Sequence, residues 1–104
     1  MQREFTEVWR DIRTYLKPRM EIKYWGKSRG SSGKKFVIKS ISNNCIYCDP
    51  PNAKNTQPVP RQDFEATWEL WEDYMAGKVQ RQYFTELTRF SSYIISIFHN
   101  LAIK

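Results

Sequence analysis

Two cysteines separated by two residues, Cys45-Ile46-Tyr47-Cys48, a single histidine, His99, and the tripeptide Glu21-Ile22-Lys23 are where this chain comes nearest to reactive or metal chemistry. The cysteine gap is that of a zinc or redox pair, but tetrahedral zinc takes about four protein ligands and the sequence has no second pair. In an extended strand the two α-carbons stand roughly 10 Å apart, beyond a disulfide's span. Ordinary reduced thiols are expected. Glu21-x-Lys23 has the form found in metal-dependent nucleases, with Asp11 upstream. Asp11 falls on a predicted helix rather than at a strand end beside Glu21, which defeats metal bridging. His99 has no Ser, Cys or carboxylate near it at motif spacing. The expectation is a binding protein rather than an enzyme, with no cofactor and no metal.

Gly26 to Lys34 reads Gly-Lys-Ser-Arg-Gly-Ser-Ser-Gly-Lys, without an apolar residue, and resembles phosphate-cradling loops only superficially. No Gly stands five positions before Gly33-Lys34, Lys35 replaces the required Ser/Thr, and a strand follows where a helix should begin. Gly30-Ser31-Ser32-Gly33 matches the Gly-x-x-Gly clamp of one RNA-binding module, yet that clamp joins helices and this stretch would join strands. A mobile loop is expected. Around it lie Lys23, Lys27, Arg29, Lys34, Lys35 and Lys39, framed by Tyr24, Trp25 and Phe36 and with no acidic residue among them. Cations on a hairpin neutralise phosphates, and an exposed aromatic such as Trp25 stacks on an unpaired base. The sequence therefore nominates this hairpin, helped by Arg10 and Arg13, as a nucleic-acid contact without strong sequence preference. The competing reading is a solvated loop whose aromatics belong to the core.

Charge distribution fits both readings, and plain solubility slightly the better. Residues 1–49 hold eleven Lys/Arg against five Asp/Glu, whereas residues 50–104 hold six against six, so the first half carries the whole excess of +6. That asymmetry fits a polyanionic partner, and it also serves solubility.

The elements that position these residues follow from periodicity. Phe5, Val8, Trp9, Ile12 and Leu16 form a helical stripe over residues 3–16, which Pro18 ends. Met20 to Trp25 is a predicted strand with Met20, Ile22 and Tyr24 on one face and Glu21, Lys23 and Trp25 on the other. Phe36–Ile41 and Cys45–Cys48 are two more, joined by Ser42-Asn43-Asn44. The four prolines between Asp49 and Pro60 exclude a helix, and Val59 adds at most a short edge strand. From Asp63, as N-cap, to Gly77, as helix stop, the spacing of Phe64, Trp68, Trp71 and Met75 predicts one continuous helix with that stripe buried. A short helix through Val79, Tyr83, Phe84 and Leu87 and a last one from Ser91 complete the chain.

The fold class expected is α+β: one domain over residues 1–104, with an N-terminal helix, an antiparallel sheet of about three strands and two or three C-terminal helices on one face. No apolar run approaches the roughly 18 residues of a membrane span, and the N-terminus lacks a signal peptide's hydrophobic segment, so the cytoplasm is the expected location and no membrane partner is expected. The last helix is apolar on most sides. Either it is central to the core, or Ile94, Ile95, Phe98 and Leu101 bury a face against another copy in a homo-oligomer. A small cationic or aromatic ligand held between Trp25, Trp68 and Trp71 is a further alternative.

Arg61-x-Asp63-Phe64, Trp68-x-x-Trp71-x-x-Tyr74, Gly77, Arg81 and Arg89-x-Ser91-Ser92-Tyr93-Ile94-Ile95 resemble the C-terminal halves of small uncharacterised bacterial proteins, some carried on integron mobile gene cassettes. The resemblance covers roughly residues 61–98. It implies a bacterial, mobile-element setting and an α+β domain, and carries no activity across.

Overall fold

A computed structural model describes residues 3–26, 30–51 and 55–102. It is an α+β fold in the order α1 (Phe5–Tyr15), β1 (Glu21–Gly26), β2 (Gly30–Ile41), β3 (Cys45–Asp49), β4 (Gln57–Pro60), α2 (Arg61–Glu69), α3 (Trp71–Met75), α4 (Arg81–Leu87) and α5 (Ser91–Asn100). The stripe on α1 is buried as its spacing requires: Phe5, Val8, Trp9, Ile12 and Leu16 are all 8% exposed or less. Leu16 turns extended two residues before Pro18. Arg19, at φ 73°, then swings the chain onto β2, where its N–H donates to the Ile38 carbonyl and the Met20 carbonyl accepts from the Ile38 N–H. At the other end of β2, Trp9 Nε1 donates to the Asn43 carbonyl and Arg13 to the Asn43 side chain.

The sheet is an antiparallel meander ordered β1-β2-β3-β4, four strands rather than three. Its inward positions, Ile22, Phe36, Ile38, Ile46, Cys48 and Val59, are 2% exposed or less. The fourth strand forms despite Pro58 and Pro60 because it is an edge: Gln57, Val59 and Arg61 can turn their N–H groups toward β3, and Arg61 N–H does donate to the Asn44 carbonyl. The glycine- and serine-rich stretch also departs from expectation. Gly30 pairs with Gly26 and Ser31 with Trp25, so β2 begins at Gly30 and the expected loop is largely strand backbone. Pairing to a neighbouring strand needs no apolar side chain.

The helix expected from Asp63 to Gly77 is two helices. It starts after extended Pro60 and breaks at Leu70, where φ is −106° and ψ is 0°. In the turn before the break Thr67 Oγ1 donates back to the Asp63 carbonyl, a bond that competes with the helix's own ladder. Asp63 does not cap: its carboxylate accepts from the Thr88 hydroxyl and so ties α2 to the connection between α4 and α5. Gly77 stops α3 as expected, with φ 80°, its N–H on the Tyr74 carbonyl and the Lys78 N–H on the Asp73 carbonyl. Phe64, Trp68 and Trp71 are buried, but Met75 is 56% exposed and leaves the stripe.

The last helix, α5, is the centre of the molecule. Ile94, Ile95, Ile97 and Phe98 are wholly buried, and the half-buried Leu101 packs against the same core. Ile94, Ile95 and Phe98 therefore present nothing to a second copy; a helix apolar on most sides is here enclosed by β1, α2 and α4 of its own chain. The Phe98 ring meets Trp71 at 4.9 Å and Trp68 at 5.9 Å, both edge-on, and Phe64 at 6.1 Å. Such edge-to-face packing adds to the gain from buried area. Phe98→Ala should cost about 3–5 kcal/mol of unfolding free energy in a denaturant titration. A loss below 1 kcal/mol would show that Phe98 is not central to the packing.

Candidate functional site

The β1–β2 ribbon carries the cations that the sequence nominated, and its register sorts them. Lys23 lies directly across from Lys35, and both are exposed. Glu21 approaches Lys35 to 3.5 Å at the surface. Lys34 is exposed beside them. Lys39 turns away toward the β3–β4 connection, where its ammonium donates to Thr56 Oγ1 and that hydroxyl donates to Asp49. Lys27 and Arg29 lie outside the described residues.

Arg10 and Arg13 do not join this group. Arg13 is engaged by Asn43 in the turn beyond Ile41. Six residues of β2 separate Lys35 from that strand end, roughly 20 Å, more than twice the screening length at physiological salt. Arg10 is exposed on the same helix, α1. Sequence proximity to a basic segment does not place a helix beside it.

Trp25 departs furthest from expectation. Strict alternation puts it on the solvent face with Glu21 and Lys23, but the pairing shifts between Lys23 and Trp25. Two extra residues of β2 fall in that interval, and beside this irregularity the indole lies on the helical side. There the ring lies flat on the His99 imidazole, with centroids 4.0 Å apart and planes 13° from parallel. It is thus occupied by the protein and is no platform for a base. Its backbone is held as well: the Trp25 N–H donates to Ser96 Oγ at 2.9 Å and its carbonyl accepts from Arg81. One step earlier the Lys23 carbonyl accepts from Asn100 Nδ2 at 2.9 Å, while the same amide also donates to the Ser96 carbonyl. Ser96, His99 and Asn100, at helical spacing i, i+3 and i+4, form one face of α5 against β1.

His99 sits between two tryptophans. Trp71 stands edge-on to it at 5.1 Å, and Tyr74 beyond at 6.5 Å. Its Nε2 is buried and makes no hydrogen bond to the protein. Burial first, then the neighbouring Arg81 charge, hold its pKa below the ordinary histidine value. A position in the last turn of α5 favours the cation by about 0.3–1 kcal/mol, which offsets only part of this. No motif flags this residue, because its neighbours come from β1, α3 and α4; the one legible trace is the Ser96/His99/Asn100 spacing.

The three tryptophans do not enclose a ligand space. Trp25 and Trp71 close on His99, whereas Trp68 turns away to Phe98 and donates its Nε1–H to the Arg3 carbonyl. Nor are the nuclease-like carboxylates together: Asp11 pairs with Arg3 on α1, and Glu21 with Lys35 on the sheet. Among the described residues no three His, Cys, Asp or Glu side chains are grouped to hold a metal, and no helix is long and apolar enough to cross a membrane.

Cys45 and Cys48 occupy opposite faces of β3, Cys45 half-buried outward and Cys48 fully buried inward. Burial, then the neighbouring Cys45 and Asp49, push the Cys48 thiol up to about 12; burial also raises Cys45, against a Tyr47 hydrogen bond that lowers it. Both are poor nucleophiles at neutral pH. With a chromogenic disulfide at pH 8, one slow equivalent should come from Cys45, and Cys48 should react only as the protein unfolds. Loss of the early phase in Cys48→Ser rather than Cys45→Ser would contradict this.

The depressed His99 pKa fixes a sign. Between the folded value and the unfolded 6.5, the unfolded chain binds more protons, so this contribution to stability is complete above about pH 6.5 and declines as pH falls through that window. In His99→Phe the proton uptake on unfolding between pH 7 and 5, from denaturation midpoints, should drop by up to one. Equal uptake in both proteins would rule out the linkage.

No protein-family model, curated protein or solved structure matches this chain.

Proposed function

We propose that the β1–β2 ribbon contacts nucleic acid through its phosphates, with little preference for sequence or for single against double strands. The observation that carries this reading is the register of Lys23 against Lys35. Like charges directly across two strands destabilise a sheet, and among the described residues the surface carboxylate of Glu21, 3.5 Å from Lys35, relieves this pair. From Ile22 to Cys48 the sequence has no acidic residue, so a polyanion is the partner that lowers the local electrostatic energy. Because Trp25 is folded under, the ribbon binds charge rather than bases.

The test is fluorescence anisotropy with labelled 20-nucleotide single strands and duplexes across a salt series. Both should bind at low salt, with log K falling linearly against log salt. Lys23→Ala/Lys35→Ala should weaken binding at least tenfold and reduce the slope by about 1.4–1.8. Lys78→Ala, beyond α3, should leave both unchanged. No binding at low salt, or an unaltered double variant, defeats the reading.

A further inference from the structure

The root of the ribbon is tied to the helical layer by a set of contacts that converge on one residue able to change its charge near neutral pH. We propose that His99 is a proton-sensitive latch: the neutral imidazole holds Trp25 and the base of β1 against α5, and the imidazolium releases them. This goes beyond the nucleic-acid reading and does not depend on it.

The geometry assigns the role to His99 in particular. It lies flat on Trp25 between two backbone ties made by its own helix, Ser96 to the Trp25 N–H and Asn100 to the Lys23 carbonyl. These ties, with Arg81 on the Trp25 carbonyl, hold backbone groups that face away from β2, where the strand has no further strand to pair with. The stack lies between these ties, so a displaced ring disturbs the packing they share. In the neutral ring one nitrogen is a donor and the other an acceptor, and leaving Nε2 without a partner costs the desolvation of one neutral group. Protonation makes both nitrogens donors and places a full charge at the buried edge, which is far costlier to leave unpaired.

Among the described residues, the surroundings give that charge no carboxylate. From α4 the group facing the ring is the Arg81 guanidinium, a like charge. From α3 come Trp71 and the Tyr74 phenol ring, from β1 Trp25, and from α5 itself Ser96 and Asn100. The indole faces attract a cation and oppose release. Burial and the Arg81 charge both act against the cation. The imidazolium reaches water by leaving the stack, and Arg81 is bound to the same Trp25 whose partner then departs. One protonation thus loosens the carbonyl tie and the ring contact together.

Hydrogen–deuterium exchange of the intact protein, read by mass spectrometry at pH 7.5 and 5.5 and corrected for intrinsic rates, tests this without nucleic acid. Peptides covering residues 20–26 should lose protection at least fivefold at the lower pH, while those covering α1 stay within twofold. His99→Phe, which keeps an aromatic ring on Trp25, should show protection in β1 that is independent of pH. His99→Gln, which keeps a neutral polar group, should show the same independence at a uniformly lower level. The latch is overturned if wild-type β1 protection does not change with pH, if it falls only in step with α1, or if both variants keep the wild-type pH response. Oligonucleotide affinity enters none of these outcomes, so failure of the ribbon to bind nucleic acid and failure of the latch are separate results.

Discussion

Burial of α5 is the constraint on which the rest of this structure depends. Its apolar residues occupy most of its sides, and the other elements are arranged so that each covers a part of it: Trp68 and Trp71 close over Phe98, and β1 lies along the Ser96–His99–Asn100 face. The helix is not uniformly greasy. Ser96, wholly buried, spends its hydroxyl on a strand N–H, so the polar atom inside the core also fixes the position of β1. Hydrophobic area drives the assembly, and a few hydrogen bonds set its register.

The same helix therefore has two roles. Inward it completes the core, and along one line it supports the strand that bears Lys23. The aromatic contacts extend this coupling: Trp71 touches both Phe98 and His99, and His99 touches Trp25, so three rings link the molecular centre to the root of the basic ribbon. A disturbance at either end has a contiguous packed route to the other.

Most of the fold was legible in the sequence, and its failures have local causes. The α1 stripe was readable because five apolar residues keep helical spacing and Pro18 closes the run. Inward residues of β1 to β3 were readable by alternation. The break at Leu70 was not, since Thr67 looks like any surface-compatible residue until its hydroxyl bonds back to Asp63. The short edge strand allowed at Val59 is β4, though its prolines kept it out of the expected strand count. In the candidate site, the exposure of Lys23 followed from periodicity, but the position of Trp25 did not, because the pairing shifts by two residues between Lys23 and Trp25 and no periodicity marks such a shift. His99 was the least legible, its surroundings being assembled from three distant segments.

The prolines of β4 have a further implication for the sheet as a surface. With Gln57 and Val59 turned toward β3, the outer margin of that strand consists of Pro58 and Pro60, which offer carbonyls but no amide hydrogens. The opposite margin, along β1, is occupied by side chains from α4 and α5. An incoming extended peptide thus meets one border lacking donors and another already filled. Edge-to-edge pairing, the common route from a small sheet to fibrils, is therefore opposed along both of these margins.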